Sequence, residues 1–335
     1  MNILLKDFIL AAGILSSLTS CIRDRGEDFS PDTRTEVMLS LVVRSGSSAT
    51  DTEVLGPAET TIGDAWIYAF SDNILQNSTH VTGIDAESFT VDNFKVPVTG
   101  SLMLYAVVNP PSGHNLAQVN NPAALAELTY GITEFFPGGW AFGSASTFAA
   151  TAFKVPAFGQ TAAPVDIRRD TTIAIAADRA LARFDILLQR KAGTPSISID
   201  SMTSISVTGS REYGYVTPWN VADETALKSG NKVAYGPSAA AAVPAEGTTP
   251  LRAFSFYMPE RDCVTSRPSF SLSDILFGSV RKDYDNIVVG TDELKRIERN
   301  KVYRIICTFS EISVSPDITV LVEDWDEKSA EVIFN

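Results

Sequence analysis

The sequence predicts an all-β protein built as β-sandwiches. Short apolar or alternating segments recur along the chain, and clusters of Gly, Pro, Asn and Ser separate them, which is typical of strands joined by turns. Strands at such intervals, without helices between them, indicate sandwiches rather than parallel βαβ units. The predicted strands span 65–70, 89–98, 102–108, 172–176, 182–188, 197–207, 253–258, 303–309 and 318–322.

One short segment has helical character. Residues 121–128 read NPAALAEL. The side chain of Asn121 is suited to capping a helix, because its oxygen can accept a hydrogen bond from a free backbone N–H of the first turn. Pro122 suits the first helical position, where its missing N–H costs nothing. We therefore predict one short helix, in the first half of the chain.

The N-terminus predicts export. Residues 1–21 read MNILLKDFILAAGILSSLTSC, with one lysine near the start and an apolar run that is too short to span a bilayer. The ending Leu-Thr-Ser-Cys resembles the bacterial lipobox, in which cleavage precedes a cysteine that then carries lipid. We expect Cys21 to be that residue and to anchor the protein to a membrane. An ordinary signal peptide that is cleaved elsewhere is the alternative.

Length and charge narrow the class of protein. A chain of 335 residues exceeds the size at which single hydrophobic cores stop growing, about 250 to 300 residues, and this favours two domains. The formal net charge is −13, and no basic stripe is present, so we expect no nucleic-acid partner. Cys263 and Cys307 are the only cysteines after Cys21. They are too few for a disulfide scaffold, and the sequence leaves open whether they pair.

Residue types that would carry catalysis are scarce. His80 and His114 are the only histidines, and neither lies near a cysteine in the sequence, so a zinc site or a histidine-based triad lacks parts. The carboxylates show no spacing that singles out an acid/base pair. The glycine-rich segment 138–146 lacks the lysine of a phosphate-binding loop. The sequence therefore predicts no enzyme, no metal site and no cofactor.

The first predicted strand precedes a tether with the composition of an exposed loop. Val37, Leu39, Leu41 and Val43 alternate as a buried face should. Met38 and Val42 are also apolar, so we expect cover on both faces. The strand ends at Arg44, and the following residues 45–53 are rich in Ser, Gly and Thr, which favours access by proteases. Arg23, Arg25 and Arg34 all precede the strand.

In the order of three phrases, residues 94–128, 175–188 and 294–335, the chain resembles the FimA-like fimbrillins, the type V pilins of Bacteroidetes. Residues 294–335, LKRIERNKVYRIICTFSEISVSPDITVLVEDWDEKSAEVIFN, resemble that family's C-terminal pattern. It consists of an Ile-Glu-Arg-Asn turn, a Tyr-centred strand, an apolar strand ending before a Trp, and a short final strand. Residues 94–128 resemble the segment in which a strand ending in Ala-X-X-Asn precedes a small helix. The phrase IAADRALARFDILL, residues 175–188, resembles the Arg-X-X-Ala-Arg strand that opens the second domain.

The resemblance implies a fold and a domain plan. The fold would be two tandem transthyretin-like β-sandwich domains, with one short helix in the N-terminal domain. Residues 1–21 would be the lipoprotein signal peptide, and 22–44 a leader with a removable first strand. The N-terminal sandwich would span 45–176 and the C-terminal sandwich 177–335, with a candidate donor strand at 329–335.

The resemblance also implies an assembly mechanism. In this family an Arg-specific protease cuts after the first strand, and a C-terminal strand of another subunit fills the groove that is left. Arg44 would be the processing site here, although the family's arginine usually lies further into the loop. Ala330, Val332 and Phe334 would face inward in the donor strand, and strand 318–322 is either a donor or an ordinary terminal strand.

The function implied is that of a structural subunit of a cell-surface fimbria that supports adhesion. Its partners would be copies of itself, other fimbrial subunits and the maturation protease. The subunit would sit on the outer membrane through lipid on Cys21 and enter the fimbria after processing. A fimbrial anchor or tip protein is one alternative. A surface lipoprotein that binds glycans through exposed aromatics such as Trp140 and Trp219 is the other.

Overall fold

The computed structural model describes residues 35–45, 59–131, 141–142, 154–218, 227–228, 231–233, 240–290, 294–312 and 314–324. All of the strands and helices named below belong to the unit that begins at Glu36. Strands make up most of the described residues and the helices are very short, so the prediction of an all-β protein is confirmed.

The first part of the chain, up to residue 179, contains strands β1 to β10 and two short helices. The helices are a 3₁₀ helix, Leu116–Gln118, and α1, Ala123–Ala126. The strands are β1 Glu36–Ser45, β2 Ile62–Ser71, β3 Ile74–Ala86, β4 Ser88–Pro97, β5 Thr99–Val108, β6 Thr129–Gly131, β7 Ala141–Phe142, β8 Ala157–Gln160, β9 Val165–Ile167 and β10 Thr171–Arg179.

The second part of the chain contains strands β11 to β25. They are β11 Leu181–Arg190, β12 Ile197–Ile199, β13 Ser204–Thr208, β14 Ser210–Arg211, β15 Tyr213–Tyr215, β16 Leu227–Lys228, β17 Asn231–Val233, β18 Ala241–Ala242, β19 Leu251–Pro259, β20 Arg261–Asp262, β21 Ser269–Phe277, β22 Val280–Val288, β23 Arg296–Ile297, β24 Lys301–Phe309 and β25 Asp317–Asp324.

An eight-stranded sheet dominates the first part. Its order is β3-β2-β5-β8-β10-β1-β4, and β9 pairs with β5 off this path. One face of the sheet lines an apolar cluster, and strands from both ends of the order contribute to it, so the sheet wraps around its own core. The buried members are Val37, Leu39, Leu41, Val43, Ile62, Ala65, Ile67, Ala69, Phe94, Val96, Leu102, Leu104, Ala106, Val108, Ala157, Ile167, Ile175 and Ala177.

The opposite face of this sheet is aromatic and carries the helical segment. Tyr68 of β2 lies beside Phe70, and its hydroxyl donates a 2.9 Å hydrogen bond to the carbonyl of Leu116 in the 3₁₀ helix. Helix α1 is shorter than the predicted 121–128. The Asn121 side-chain oxygen accepts a hydrogen bond from the backbone N–H of Ala124 at 3.0 Å, but the N-cap position is Pro122, so Asn121 and Pro122 each lie one position before their predicted places in the helix. Trp66, on the same strand, is only partly buried.

Two further sheets form most of the second part. One has the order β25-β24-β11-β19-β7, and the other has the order β17-β13-β21-β12-β18 with β22 paired to β21. Apolar side chains of both sheets meet in one cluster, which is the packing of a sandwich. In its centre, Phe184 stacks on Phe256 at 5.0 Å and on Tyr303 at 4.7 Å.

The predicted strand 197–207 is two strands, β12 and β13, separated by a turn. Within the turn, the Asp200 side chain accepts a hydrogen bond from the N–H of Met202 at 2.9 Å. The Thr203 hydroxyl accepts one from the N–H of Asp200 at 3.1 Å. Asp side chains favour such local bonds over a continuous ladder, so the strand breaks there.

The predicted domain boundary at residues 176 and 177 falls inside β10. Strand β6 of the first part pairs with β15, and β7 pairs with β19, so both pairings cross this boundary. The division into two transthyretin-like domains stays a prediction. Among the described residues, no helix combines the length and apolar character that a membrane crossing requires.

Candidate functional site

Strand β1 lies inside the first sheet rather than at its edge. It pairs in parallel with β10, from Leu39 opposite Thr171 to Ser45 opposite Ala177. On its other side it pairs antiparallel with β4, which is the last strand of the sheet order. Removal of β1 would therefore leave a gap between two strands, each with unpaired backbone groups along one edge.

Only one face of β1 is buried. Val37, Leu39, Leu41 and Val43 are at most 1% exposed and lie in the core of the first sheet. The expectation of cover on both faces is wrong at Met38, which is 46% exposed, and Val42 on the same face is only partly buried. Burial of the four core side chains stabilises the strand by roughly 6 to 12 kcal/mol before ordering costs, at about 1.5 to 3 kcal/mol each.

Polar contacts fix the position of β1 along its neighbours. The N–H of Met38 donates to the Asp170 carboxylate at 2.9 Å, just before β10 begins. The Ser40 hydroxyl donates to the Asp92 carboxylate at 2.9 Å. Beside Asp92, the register of β4 shifts by one residue, and Asn93 has a φ of 59°. This is a β-bulge: β4 has one more residue than β1 at this point, and Asn93 takes up the extra length in the left-handed region.

Arg44, the predicted processing site, lies within β1 rather than after it. Its backbone position is opposite Ser88 of β4 and Ala176 of β10. Cys21, Arg23, Arg25 and Arg34 lie outside the described residues. The predictions of lipidation at Cys21 and of processing at Arg44 stay predictions.

The predicted strand 318–322 belongs to β25, which pairs antiparallel with β24 of the same chain. Its Ile318, Val320 and Val322 contact the core of the second part. This arrangement is that of an ordinary terminal strand. The candidate donor residues Ala330, Val332 and Phe334, and the aromatic residues Trp140 and Trp219, lie outside the described residues.

A buried ion cluster forms around Glu59, shortly before β2. Glu59 is 1% exposed, and its carboxylate accepts hydrogen bonds from the Arg183 guanidinium at 3.0 and 3.2 Å and from the Tyr257 hydroxyl at 2.6 Å. Arg183 also donates to Asp185 at 3.2 Å. The backbone carbonyl of Glu59 accepts a hydrogen bond from Arg179 at 2.8 Å. Glu59 is thereby fixed to β10, β11 and β19.

The charges of Glu59, Arg183 and Asp185 compensate one another although all three side chains are buried. Burial alone lowers the pKa of Arg183, but the carboxylates of Glu59 and Asp185 outweigh burial, so its pKa lies above the ordinary value. Burial and the Glu59 charge raise the pKa of the Tyr257 hydroxyl well above its ordinary value. The hydroxyl therefore stays protonated and donates to Glu59. The role of Glu59 is not predictable from the sequence, because its partners Arg183 and Tyr257 lie more than 100 residues away in the chain.

Each histidine contacts a neighbour in the described part of the chain. His80 lies on β3, where its ring stacks on Trp66 at 4.4 Å and its Nε2 is 3.1 Å from an oxygen of Asp64. His114 donates a 2.7 Å hydrogen bond to the carbonyl of Thr129. In the part of the chain that the structure describes, no group of three His, Cys, Asp or Glu residues could hold a metal ion.

Comparison with known proteins identifies the fold. No protein-family model and no curated protein sequence matches this chain. A solved structure of fimbrilin (fimA) from Porphyromonas gingivalis W83 matches with a TM-score of 0.59 and 12% identity, over 89% of this chain and 99% of that one. The tip fimbrial protein Mfa3 from P. gingivalis matches with a TM-score of 0.59 and 11% identity, over 87% and 100%. This chain has the fold of the FimA-like fimbrillins.

A candidate cell adhesion protein from Parabacteroides distasonis has the same fimbrillin fold. It matches with a TM-score of 0.57 and 13% identity, over 88% of this chain and 99% of that one. Identities this low bear on the fold alone. What this chain does must be argued from its own residues.

Each of the three phrases that resemble the fimbrillins has a structural role in this chain. In the Ala-X-X-Asn phrase, the side chain of Asn109 accepts from the N–H of Gly63 at 2.7 Å and donates to the carbonyls of Thr61 and Val155 at 3.0 and 2.9 Å. It thereby joins three separate segments of the first sheet. In the Arg-X-X-Ala-Arg phrase, Arg179 and Arg183 are the two arginines that bind Glu59.

The Ile-Glu-Arg-Asn turn forms hydrogen bonds with β11 and with the end of β15. The Arg299 guanidinium donates to the carbonyls of Tyr215, Val216 and Thr217 at 2.9, 2.6 and 2.8 Å, and to the Glu260 carboxylate. Asn300, with a φ of 55°, donates its own N–H to the carbonyl of Leu181 at 2.9 Å. The Arg299 side chain thereby satisfies three consecutive backbone carbonyls at the end of β15.

Proposed function

We propose that this chain is a structural subunit of a cell-surface fimbria that assembles by donor-strand exchange. One observation carries the proposal: β1 is a first strand that lies between β10 and β4 and contributes four side chains to the core. Its loss would open a core-lined groove with two free strand edges. Another chain can pair with such edges by strand addition.

The groove sets demands on the strand that replaces β1. The incoming strand must place apolar side chains at every second position, because a shift by one residue would direct polar side chains into the core. The tail 329–335 has this alternation in Ala330, Val332 and Phe334. Donor and groove then lie at different places on the subunit, so contacts are heterologous and propagate into a fibre.

Maturation in this proposal has two covalent steps. The precursor is exported and carries lipid on Cys21, which anchors it to the outer membrane. An Arg-specific protease then cuts after Arg44, and this separates both the lipid anchor and β1 from the rest of the chain. The subunit enters the fimbria on the cell surface, where it supports adhesion. Its fold, shared with fimbrilin (fimA), with the tip fimbrial protein Mfa3 and with the candidate adhesion protein, supports this role.

A fimbrial anchor or tip subunit is the second candidate. The observation that favours it is the place of Arg44, whose backbone pairs with strands on both sides. A subunit that is not cut there keeps β1 in its groove and keeps its lipid. Such a subunit would donate its C-terminal strand to a neighbour, but its own groove could not accept a donor strand.

The test measures the N-terminal residue and the polymerisation of the protein on the surface of the cells that make it. We expect N-terminal sequencing to find Ser45 as the first residue of polymerised subunits, and Arg44→Ala to abolish polymerisation. Arg34→Ala is the matched control, since Arg34 precedes β1, and it should polymerise normally. Deletion of 329–335 should also abolish fibres. Normal fibres from Arg44→Ala together with an intact N-terminus at Cys21 would refute the shaft role and favour the anchor.

A further inference from the structure

We propose that Arg44 is a shielded processing site, cut only after the C-terminal end of β1 has left the sheet. The inference rests on the proposed function, because it concerns the regulation of the same maturation step. It states that the sheet itself controls when this subunit becomes competent to assemble.

The shielding follows from the pairing at the bond to be cut. Arg44 is opposite Ser88 on one side and Ala176 on the other, and the next residue, Ser45, is still opposite Ala177 of β10. The bond between Arg44 and Ser45 is therefore part of the ladder. Val43, one residue earlier, is fully buried in the core and holds this end of the strand down.

No alternative basic residue lies in the connection that follows. Between residue 35 and Lys95, Arg44 is the only lysine or arginine in the sequence. Lys95 is itself in β4, opposite Met38. An Arg-specific protease that is to free β1 has to use Arg44, and it has to do so where the strand is paired.

The chemistry of the cut requires the strand end to be free. Water adds across the peptide bond, so that Arg44 gains a carboxylate and Ser45 a new amino terminus. A protease cleft must surround the residues on both sides of that bond, and the backbone positions of β4 and β10 occupy this space. Cleavage of such a bond proceeds through a locally open state, and its rate then follows the population of that state.

Two consequences distinguish a shielded site from an accessible one. Any change that weakens the hold of the core on Val43 should speed cleavage at Arg44. An arginine placed beyond Ser45 should be cut faster and should not respond to that change. Conditions or partners that loosen this end of β1 would therefore set the rate of maturation.

The experiment measures cleavage rates of the full-length chain by trypsin, with mass spectrometry of the new N-termini. Wild type is compared with Arg44→Gln/Ala49→Arg, which moves the arginine five residues downstream. We expect cleavage after position 49 to be at least about tenfold faster than after Arg44, the factor that corresponds to about 1.4 kcal/mol of local opening. Val43→Ala should speed cleavage after Arg44 severalfold and leave cleavage after position 49 unchanged when it is added to that variant.

Low urea provides a second readout that needs no core substitution. It should raise the rate at Arg44, whose bond lies in the ladder, and not at position 49, which lies in the Ser-, Gly- and Thr-rich segment 45–53. Equal rates at the two positions, absence of cleavage at both, or an equal response to Val43→Ala would overturn the inference. These rates are measured on unassembled subunits, so the outcome is independent of the polymerisation test of the proposed function.

Discussion

At the scale of single residues, the buried carboxylate of Glu59 matters for stability because of the partners that surround it. Its carboxylate is buried, and it faces Arg183 and Tyr257 at hydrogen-bonding distance. Removal of one partner from a buried ion pair leaves the other charge uncompensated, which costs far more than the pair contributes when intact. The stability of the junction between β10, β11 and β19 therefore depends on this residue.

Glu59→Gln should lower the free energy of unfolding by about 3 kcal/mol, because Arg183 then keeps only part of its compensating charge. The matched control is Asp317→Asn. Asp317 forms an exposed ion pair with Lys191 at 2.6 Å, and its loss should leave the free energy of unfolding nearly unchanged, because solvent screens the pair. Urea unfolding with an unchanged m-value measures both. Similar small losses in the two variants would contradict a structural role for the cluster.

The thiol of Cys307 should not react with alkylating reagents in the folded protein. It lies on β24 with no exposed surface, and burial raises the pKa of its thiol, so the reactive thiolate is not formed near pH 8. Iodoacetamide at that pH should leave Cys307 unmodified in the native protein and modify it in urea. Cys263 is the internal comparison, since it is 5% exposed and lines a cavity of about 480 Å³, whereas Cys307 has no exposed surface, so Cys263 should react first. Native labelling of Cys307 at the rate of Cys263 would show that the strand opens.

Both described cysteines are thiols, so the pairing that the sequence left open is absent among the described residues. The sequence had no way to decide it, because the spacing of two cysteines does not reveal whether their strands meet.

At the scale of elements, β1 differs from the strand that its sequence suggests. EVMLSLVVRS reads as apolar on both faces, yet only the face of Leu39 and Leu41 meets a core. The other face carries Met38 in contact with solvent. Hydrophobicity alone could not reveal this, because an exposed methionine and a buried one have the same sequence signature.

Leu41→Ala should lower the free energy of unfolding by about 2 to 5 kcal/mol, because it leaves a cavity in the core of the first sheet. Met38→Ala, on the opposite face of the same strand, should cost less than about 1 kcal/mol. Thermal or urea unfolding of the two purified variants compares the faces directly. Equal losses would mean that the outer face is also covered.

Strands with clear patterns were predictable and polar edge strands were not. The predicted strands 65–70, 102–108 and 303–309 correspond to β2, β5 and β24, each of which is largely buried. Strand β3, with the sequence ILQNSTHVTGIDA, was missed. It is the outermost strand of its sheet and has mostly exposed or half-buried side chains, so no alternation marks it.

At the scale of the whole molecule, the sequence predicted the order of features but not which strands meet. Glu59 was invisible because its significance depends on Arg183 and Tyr257, which the fold brings to it. The ambiguity of strand 318–322 had the same origin. A strand paired within its own chain and a strand donated to another need identical alternation, and only the register of β25 against β24 separates them.

A chain that begins at Ser45 should be rescued in trans by the strand it has lost. We expect a peptide of residues 36–44 to raise the melting temperature of that chain, because ligands that bind only the folded state stabilise it. The matched control is the same peptide with Leu39→Asp and Leu41→Asp, which should have no effect since both positions face the core. Equal effects of the two peptides, or none from either, would mean that the groove does not survive without β1.

The position of β1 between two neighbours has a mechanical consequence. Whatever strand occupies that position is bonded along both of its sides over most of its length. A pull along the strand axis loads those bonds in shear, so they must yield together rather than one after another. A strand held in this geometry resists a pull along its axis better than a strand peeled from a sheet edge, and the proposed fimbria would load the strand in that direction.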